Sequence, residues 1–534
     1  MKQVLKNFYN DIGRKKRFWM PVFFLTWASF GFSIMNRTVS IDDLATELYV
    51  DGNIWLSEYR WGGVIWKKMA TYSICTPYLD KFLSIHFMML AAALACCVLY
   101  HLTGDRKNIW TYTVTAGLLI TYPLINEIWE YTCGATIIVP GCFMLVALVL
   151  LSQVCRSRFT WQSLAWHSLV LAFVAASGES LMFVYVTAVL CILFYKYCVQ
   201  EKGLYKAYGW FPEGLVFALP LILGVVIKFA VGKAIMLLLH LERSFRGETQ
   251  IAWPLTRKEL VTLVRKSARW YGVNGLVYFP ITIFDICVIL FIIMVIVLCV
   301  RRKSLLPLLL GFFIGLSLFF QTLIQGTPMP YRTALTLTVF TGFTLYLLLA
   351  KFQSAPRGVY RGAVLILLFL CWRQSAYLNM ILALDNLRSE NEAAQIRMLG
   401  QTLVSQYYGR KVTFVGPTHY SRWTDRQITV DPDSWNGRLY FKAREIIDPG
   451  YTADRVKYVD TNLSSAIEFY RRQFEGQLMD EYLSYYGYDI DVFEDVESET
   501  YGKYWNGCQA RGMHAYEIWD VGDMVVVCVG DFDN

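Results

Sequence analysis

The first segment whose residue types and spacing could do chemistry is Ser40-Ile41-Asp42-Asp43-Leu44, a few residues beyond an apolar stretch. Carboxylates beside a membrane are poorly screened, and desolvation raises their basicity. One of Asp42 and Asp43 could therefore take the proton from an attacking hydroxyl group while the other orients that hydroxyl. The pair could instead bind a divalent cation such as Mg²⁺ or Mn²⁺, or cap a helix that begins at Leu44.

Arg60 and Trp61 lie in the same connection, within Glu58-Tyr59-Arg60-Trp61-Gly62-Gly63. A guanidinium group offers a fork of donors that suits a phosphate. An indole offers an aromatic face for a sugar ring or a prenyl chain. The sequence therefore places candidate acid–base and phosphate-binding groups in one segment.

Three later connections carry further candidate binding residues. Acids and aromatic rings there could bind a sugar, and an arginine at the mouth of a membrane helix could bind a lipid phosphate. Simpler interpretations are acids solvated in an aromatic belt, a lone acid exposed at a helix junction, and an arginine that snorkels to the interface. The candidates are Glu127, Trp129, Glu130 and Tyr131 in the segment 123–131, Glu179 between two apolar segments, and Gln325, Tyr331 and Arg332 in the segment 325–332.

The elements that must position these residues are long and apolar. Of 534 residues, 55% are hydrophobic and only 17% are charged, whereas soluble domains carry about 25% charged residues. This composition excludes a disordered chain and a typical soluble enzyme. Windows of roughly 20 apolar residues can cross a bilayer as helices, so the sequence predicts an all-α polytopic membrane protein. About eleven windows lie near 18–36, 82–102, 109–126, 134–154, 160–177, 180–199, 212–236, 277–300, 304–325, 330–350 and 358–378.

Lysine and arginine residues give the predicted orientation, since they collect in cytoplasmic connections. They cluster at the amino end and in alternate connections, and the intervening connections are acidic or mixed. The amino terminus is therefore predicted to be cytoplasmic and the carboxyl domain extracytoplasmic, with the candidate residues on the outer face. The connection 240–276 departs from this pattern with seven Lys and Arg against three Glu. Its basic and aromatic residues are predicted to contact lipid head groups, or alternatively to bind a phosphate or pyrophosphate.

The tail differs from the rest of the chain in charge. Residues 1–374 carry 35 Lys and Arg against 17 Asp and Glu, a net charge of +18, and residues 375–534 carry 15 against 25, a net charge of −10. We divide the chain into a transmembrane domain, 1–378, whose first outer loop is 37–81, and an extracytoplasmic α/β domain, 379–534. The elements predicted in the tail are helices at 381–408 and 463–484 and strands at 411–416, 514–520 and 524–529, the last two forming a hairpin.

Motifs that would identify a soluble enzyme are missing from the sequence. There is no phosphate loop, no dinucleotide-binding glycine pattern, no HExxH and no GxSxG, which argues against a primary ATPase and a nicotinamide-dependent enzyme. No cysteine pattern is typical of a zinc site, so no residue is assigned as a metal ligand. Cys508 and Cys528 are the only cysteines of the tail, and the sequence leaves open whether they form a disulfide.

The candidate segments, taken in order, resemble the glucosyltransferases of phage-type serotype conversion, the Gtr type II family. These are polytopic glycosyltransferases of the GT-C class. The resemblance lies in Asp42-Asp43-Leu44 after the first apolar segment and in Arg60-Trp61-Gly62 about seventeen residues later. Tyr59 departs from the family pattern, in which a glycine precedes the arginine. The resemblance continues in the segments 123–131, 330–332, 386–390 and 411–416.

The resemblance implies transfer of a sugar, usually glucose, from a polyprenyl-phosphate donor to a cell-surface polysaccharide such as an O-antigen. The reaction would take place on the outer side of a bacterial cytoplasmic membrane. The partners would be that donor, a polysaccharide or glycolipid acceptor and membrane lipids, without nucleic acid. Asp42, with Asp43 beside it, would act as the base, and direct attack by the acceptor would invert the anomeric centre. Arg60 and Arg332 would hold the phosphate, and Trp61, Trp129 and Tyr131 would pack on sugar or lipid.

Two other function classes fit parts of the sequence. A polysaccharide polymerase or ligase would share the apolar helices and outer arginines, but would rely on basic clusters more than on an acidic pair. A flippase or transporter for lipid-linked sugars would show charged groups at mid-membrane depth and an internal repeat. Glu213, Lys228, Lys233 and Asp285 are candidates for such groups, but the sequence has no internal repeat.

Overall fold

Helices dominate the structure, a computed structural model of the chain. In the apolar part the long runs fold as helices because a hydrocarbon environment offers no partners to backbone N–H and C=O groups. The structure describes residues 2–36, 53–71, 77–104, 108–125, 128–129, 134–153, 159–200, 209–242, 255–267, 283–326, 334–416, 428–429, 433, 435–447, 458–459, 477–493, 499–514 and 516–529.

Seventeen α-helices of at least four residues lie in the described part of the chain before the tail strands. They are α1 (Lys2–Phe8), α2 (Lys16–Phe30), α3 (Phe32–Met35), α4 (Asn53–Ser57), α5 (Trp61–Thr71), α6 (Pro77–Thr103), α7 (Ile109–Thr121), α8 (Ala135–Gln153), α9 (Trp161–Ser177), α10 (Ser180–Phe194), α11 (Trp210–Leu239), α12 (Arg257–Ser267), α13 (Ile283–Arg302), α14 (Leu306–Leu318), α15 (Phe320–Gln325), α16 (Leu335–Phe352) and α17 (Arg357–Gln406).

Seven stretches in the described helices are long and apolar enough to cross a membrane. They lie in α6, α8, α10 with the turn that follows it, α11, α13, α16 and the first half of α17, and α7 and α14 are shorter apolar helices. Each of the eleven apolar windows coincides with a described helix, since α2 and α9 fill the remaining two. A polytopic helical protein is therefore confirmed, whereas the count of eleven spans and their orientation stay predictions.

The apolar helices share one hydrophobic core, which extends from Phe8 to Leu382. Polar side chains inside it bond locally: the Thr26 hydroxyl donates to the Val22 carbonyl oxygen at 2.6 Å. Others join helices, as where the Ser29 hydroxyl donates to the Ser375 hydroxyl at 2.8 Å. Small hydroxyl residues thus hold α2 close to α17, as is common between helices in membranes.

The tail folds around a small mixed sheet, as the sequence predicts. Strands β1 (Lys411–Val415), β4 (Ile518–Asp520) and β5 (Met524–Cys528) are ordered β1-β5-β4. The pair β1–β5 is parallel and β4–β5 is the predicted hairpin. The remaining described elements are β2 (Ile428–Thr429), β3 (Tyr458–Val459), α18 (Trp435–Ile447), α19 (Gln477–Tyr485) and α20 (Glu499–Arg511).

Helices cover both faces of this sheet. On one face the carboxyl end of α17, through Ile396, Leu399 and Leu403, packs with α19 against β1 and β5. On the other face α20 packs through residues that include Tyr504 and Cys508. Alternate residues of β1 and β5 point to opposite faces, so both faces of each strand are buried.

Three expectations for the tail are refined. The helix predicted at 381–408 is continuous with the last apolar helix, because α17 runs for 50 residues, about 75 Å at 1.5 Å per residue. The helix predicted at 463–484 is described only as α19, since 460–476 lie outside the described residues. Cys508 and Cys528 are buried free thiols rather than a disulfide, and burial raises the pKa of Cys508 to about 12.

Replacing Arg410 by glutamine is expected to loosen the sheet. Its guanidinium donates to both carboxylate oxygens of Asp520 at 2.8 and 2.6 Å and also to the Gly522 carbonyl, so it joins the start of β1 to the hairpin. In the full-length protein, amide hydrogens of β1 and β5 should exchange about two- to five-fold faster in R410Q. Lys411→Gln removes a neighbouring exposed charge and is the matched control. Equal exchange in the two variants would contradict this assignment.

The same ion pair should respond to acid. The hydrogen bonds from Arg410 and from the Gly522 amide lower the pKa of Asp520 from 3.8 to about 2. A lowered pKa in the folded state means that stabilisation is present above pH 4 or so and is lost as the pH falls through about 2. Pepsin should therefore cleave Asp520→Asn in the tail faster than wild type at pH 4, and at equal rates below pH 2. A difference that persists there would rule this linkage out.

Candidate active site

The centre of the candidate site is a corner between α4 and α5. The Tyr59 amide donates to the Leu56 carbonyl oxygen at 3.0 Å, and the Arg60 amide donates to the Trp55 carbonyl oxygen at 2.8 Å. These bonds end α4, and α5 begins at once with Trp61. The three residues 58–60 thus form a tight corner between the two helices, with Arg60 as its last residue.

Tyr59 adopts a left-handed backbone conformation at this corner. Its φ is 60°, a region that glycine enters without cost and other residues rarely adopt. The Tyr59 ring lies against Gly232 of α11, where an added Cβ would come within 2.2 Å of Tyr59 Cδ1. It also meets the Phe229 ring edge to face, with centroids 5.5 Å apart. The packing of the ring on α11 thus offsets the backbone strain.

Trp61 and Lys228 fix the corner to the membrane helices. The Trp61 Nε1–H donates to the Lys228 carbonyl oxygen at 3.1 Å, and the indole is buried among residues that include Leu56 and Ala176. The Lys228 ammonium pairs with the Glu179 carboxylate. One residue of α11 therefore holds both the first loop and the junction between α9 and α10.

Arg60 remains open to solvent at this corner. Its side chain is 45% exposed, and its Nε lies 3.4 Å from Oε2 of Glu58. The Glu58 side chain is only 9% exposed and approaches one nitrogen alone, so in the described part of the chain the other guanidinium nitrogens are open to an anionic ligand. The corner thus presents a partly exposed cation beside the buried Trp61.

A second polar cluster lies at the other end of α5. Lys67 Nζ is 2.7 Å from Asp80 Oδ1, with both side chains fully buried. Asp80 Oδ2 accepts a hydrogen bond from the Ala135 amide at 3.1 Å, and Lys81 donates to the Trp129 carbonyl oxygen. The cluster thus ties α5, the start of α6 and the connection between α7 and α8 together. Six residues separate Trp61 from Lys67, about 9 Å along the helix.

The predicted site residues are only partly within the described chain. Arg60, Trp61 and Glu179 are brought together through Lys228. Trp129 belongs to the second cluster, where its ring is buried and stacks on Phe30 with centroids 4.1 Å apart. Both indoles are packed against protein, and substrate contact by either stays a prediction. Gln325 ends α15. Seven predicted site residues lie outside the described part of the chain: Asp42, Asp43, Glu127, Glu130, Tyr131, Tyr331 and Arg332.

Four charged residues belong to these clusters although the sequence did not indicate a role for them in the site: Lys67, Asp80, Lys81 and Lys228. Each is a charge beside or within an apolar run, and such a charge is costly unless it is paired. The presence of such a charge in the sequence therefore indicates that it has a partner, but it does not show which residue that partner is. Among the described residues no group of three or more His, Cys, Asp and Glu could hold a metal ion.

A comparison with protein-family models identifies the chain. The model for glucosyl transferase GtrII matches residues 31–349, which include the corner, both polar clusters and most of the apolar helices. The chain belongs to the GtrII glucosyltransferase family. Comparisons with curated proteins and with solved structures gave no match. This GtrII protein is accordingly a membrane glycosyltransferase, and its tail lies beyond the matched region.

Breaking the buried Lys67–Asp80 pair should destabilise the GtrII protein strongly. Lys67→Met leaves the Asp80 carboxylate buried without its salt-bridge partner, which costs about 3–5 kcal/mol. The double variant Lys67→Met with Asp80→Asn should recover part of the loss, since an amide oxygen can still accept from Ala135. Thermal unfolding in detergent measures both. Lys68→Met, an exposed neighbour, is the control, and an equal loss there would contradict the assignment.

The contact between Tyr59 and Gly232 gives a second test. Gly232→Ala places a Cβ against the Tyr59 ring, and overpacking of this kind costs about 1–3 kcal/mol. Unfolding temperature and transfer activity should both fall, and adding Tyr59→Gly should restore them. Gly315→Ala is the control, because nothing lies within 4 Å of its added Cβ. Failure of Tyr59→Gly to suppress the defect would show that the corner is not held in this way.

Proposed function

We propose that this GtrII protein transfers glucose from a polyprenyl-phosphate donor to a cell-surface polysaccharide. The reaction takes place on the outer side of a bacterial cytoplasmic membrane, on the side of the tail domain. The observation that carries the proposal is the corner at Arg60, where a surface cation is held at the membrane region by Trp61 and Lys228. A lipid-linked phosphate needs a cation at that position.

The transfer step follows from the groups in the first loop. Asp42 takes the proton from an acceptor hydroxyl while Asp43 orients that hydroxyl. The hydroxyl oxygen attacks the anomeric carbon, the bond from that carbon to the phosphate oxygen breaks, and polyprenyl phosphate leaves with the electron pair. A single displacement inverts the anomeric centre. Arg60 and Arg332 stabilise the charge that develops on the phosphate, and the sugar–phosphate bond supplies the energy without ATP.

Glu179 is joined to the same corner through Lys228. Its carboxylate is partly exposed and pairs with the buried Lys228. A carboxylate held in place beside the cationic corner offers a hydrogen-bond acceptor for a sugar hydroxyl. In the proposed reaction, donor and acceptor meet beside the first loop and the α9–α10 junction.

A transporter fits the charged groups of the membrane helices less well. Lys228 pairs with Glu179 at a helix junction, and Glu213 pairs with Lys196 at the start of α11. In both pairs the charges satisfy each other, whereas a transport pathway would use unpaired charges within its helices; Lys233 of α11 is exposed. A polymerase or ligase remains the second candidate, and it would use a lipid-diphosphate glycan rather than a polyprenyl-phosphate monosaccharide.

The deciding experiment is sugar transfer by the purified protein in detergent. Radiolabelled polyprenyl-phosphate glucose is supplied with and without a crude cell-surface glycan, in Mg²⁺, in Mn²⁺ and in EDTA. We expect acceptor-dependent transfer, and a rate about 10²–10⁴-fold lower in Asp42→Asn, because loss of a general base has that effect. Asp51→Asn, in the same loop, is the matched control.

Each outcome of this assay separates two interpretations. Consumption of a lipid-diphosphate glycan but of no polyprenyl-phosphate sugar would favour the polymerase or ligase. No turnover of any donor by a folded wild-type protein would overturn the proposal. A rate in Asp42→Asn equal to wild type would remove Asp42 from the base position, and the same measurement on Asp43→Asn would then test its neighbour. Loss of activity in EDTA would assign a divalent cation to the reaction.

A further inference from the structure

A pocket of about 250 Å³ opens in the tail between the end of α17 and the segment 489–491. Its chemistry is carried by two aromatic rings, one guanidinium and two carboxylates, with apolar side chains behind them. The polar and aromatic lining residues are Tyr407, Tyr408, Arg410, Asp489 and Asp491. None of them belongs to the site described above.

The walls of this pocket are fixed by the sheet. Arg410 is held by Asp520 and Gly522 on the hairpin. The opposite wall adds to the free edge of β1, since the Val412 amide donates to the Asp491 carbonyl oxygen at 2.8 Å and the Phe493 amide donates to the Val412 carbonyl oxygen at 2.8 Å. A ligand therefore meets a formed pocket rather than a flexible loop, which lowers the cost of binding.

The lining combines an uncovered ring with unused acceptors. The Tyr408 side chain is 84% exposed at the rim, although it is a large aromatic group. The Asp489 and Asp491 carboxylates are exposed and accept no hydrogen bond from any residue in the described part of the chain. Aromatic faces bind the apolar C–H face of a sugar ring, and carboxylates accept hydrogen bonds from its hydroxyl groups. Two acids beside one already paired arginine disfavour an anionic ligand.

The position of the pocket separates it from the sugar-transfer chemistry. The apolar part of α17 ends at Ala383, and Tyr407 follows 24 residues later, about 36 Å along the helix axis. A donor lipid anchored in the bilayer does not extend its single sugar that far. A ligand that occupies the pocket during transfer is therefore a long one.

We propose that this pocket binds a neutral sugar unit of the polymeric acceptor, at a distance from the unit that is modified. The inference rests on the proposed function for the identity of the ligand. The pocket holds the acceptor chain by a remote unit, which raises the local concentration of the reacting unit at the membrane. Short oligosaccharides cannot span both sites and gain nothing from the pocket.

Kinetics on acceptors of two lengths tests the proposal. In full-length protein, Tyr408→Ala and the double variant Asp489→Asn with Asp491→Asn should each raise KM for the long cell-surface glycan about ten-fold. Values of kcat, of donor KM and of KM for a short oligosaccharide of the same repeat should stay at wild type. Tyr408→Phe keeps the ring and should keep wild-type KM. Glu499→Gln removes an exposed acid of α20, on the other face of the sheet, and is the charge control.

Equilibrium binding without donor separates this proposal from the proposed function. Saturation-transfer NMR on the full-length protein in detergent uses the delipidated long glycan as the probe, so that no turnover is needed. Binding that is lost in Tyr408→Ala supports the pocket even if no transfer is found. Binding that is unchanged in both pocket variants overturns it, as does an equal rise of KM for short and long acceptors. Displacement of the glycan by an acidic polysaccharide but not by a neutral one also overturns it.

Discussion

The corner at Arg60 depends on Lys228, a buried cation within the 30-residue apolar helix α11. Its ammonium pairs with Glu179 and its carbonyl oxygen accepts the hydrogen bond from Trp61. A buried charge is costly unless it is paired, so the α9–α10 junction is held where its carboxylate meets this ammonium. Gly232 lies one turn further along the same face of α11, and the Tyr59 ring packs against it.

The short helix α5 joins this corner to the cluster of Lys67 and Asp80. Eleven residues make an isolated helix marginal in water, so its position is set by its tertiary contacts. Trp61 at its start is joined to α11, and Lys67 near its end is joined to α6. Because six residues turn a helix by about 600°, the two anchors lie on different faces, and α5 is held from both sides. Because Arg60 directly precedes α5, the position of its backbone is fixed by the same contacts.

Local patterns predicted the parts of the fold that depend on local physics. Each apolar window contains a helix, and the hairpin around Gly522 forms as the alternation in sequence indicates. Pairings between distant residues could not be predicted, since a lone charge such as Lys228 shows that a partner is needed without naming it. Trp61 and Trp129 were predicted to pack on sugar or lipid, which stays a prediction; their burial against protein could not be foreseen, because residue type does not reveal which neighbour covers a ring. The left-handed conformation of Tyr59 could not be predicted for the same reason, because it depends on the contact of the Tyr59 ring with α11, which is distant in sequence.

The helix α17 imposes a constraint that a flexible linker would not. Leu382 belongs to the membrane core and Ile396 to the core of the tail, and both lie in the same unbroken helix. The two residues are fourteen positions apart, about 21 Å along the helix, so the distance between the two cores is set by helix geometry rather than by an ensemble of linker conformations. In the proposed reaction the donor is confined to the bilayer and the acceptor is a polymer outside it, so a rigid spacer would set the distance at which the acceptor is held. Under that proposal the length of the acceptor, as well as its chemistry, determines which chains are modified.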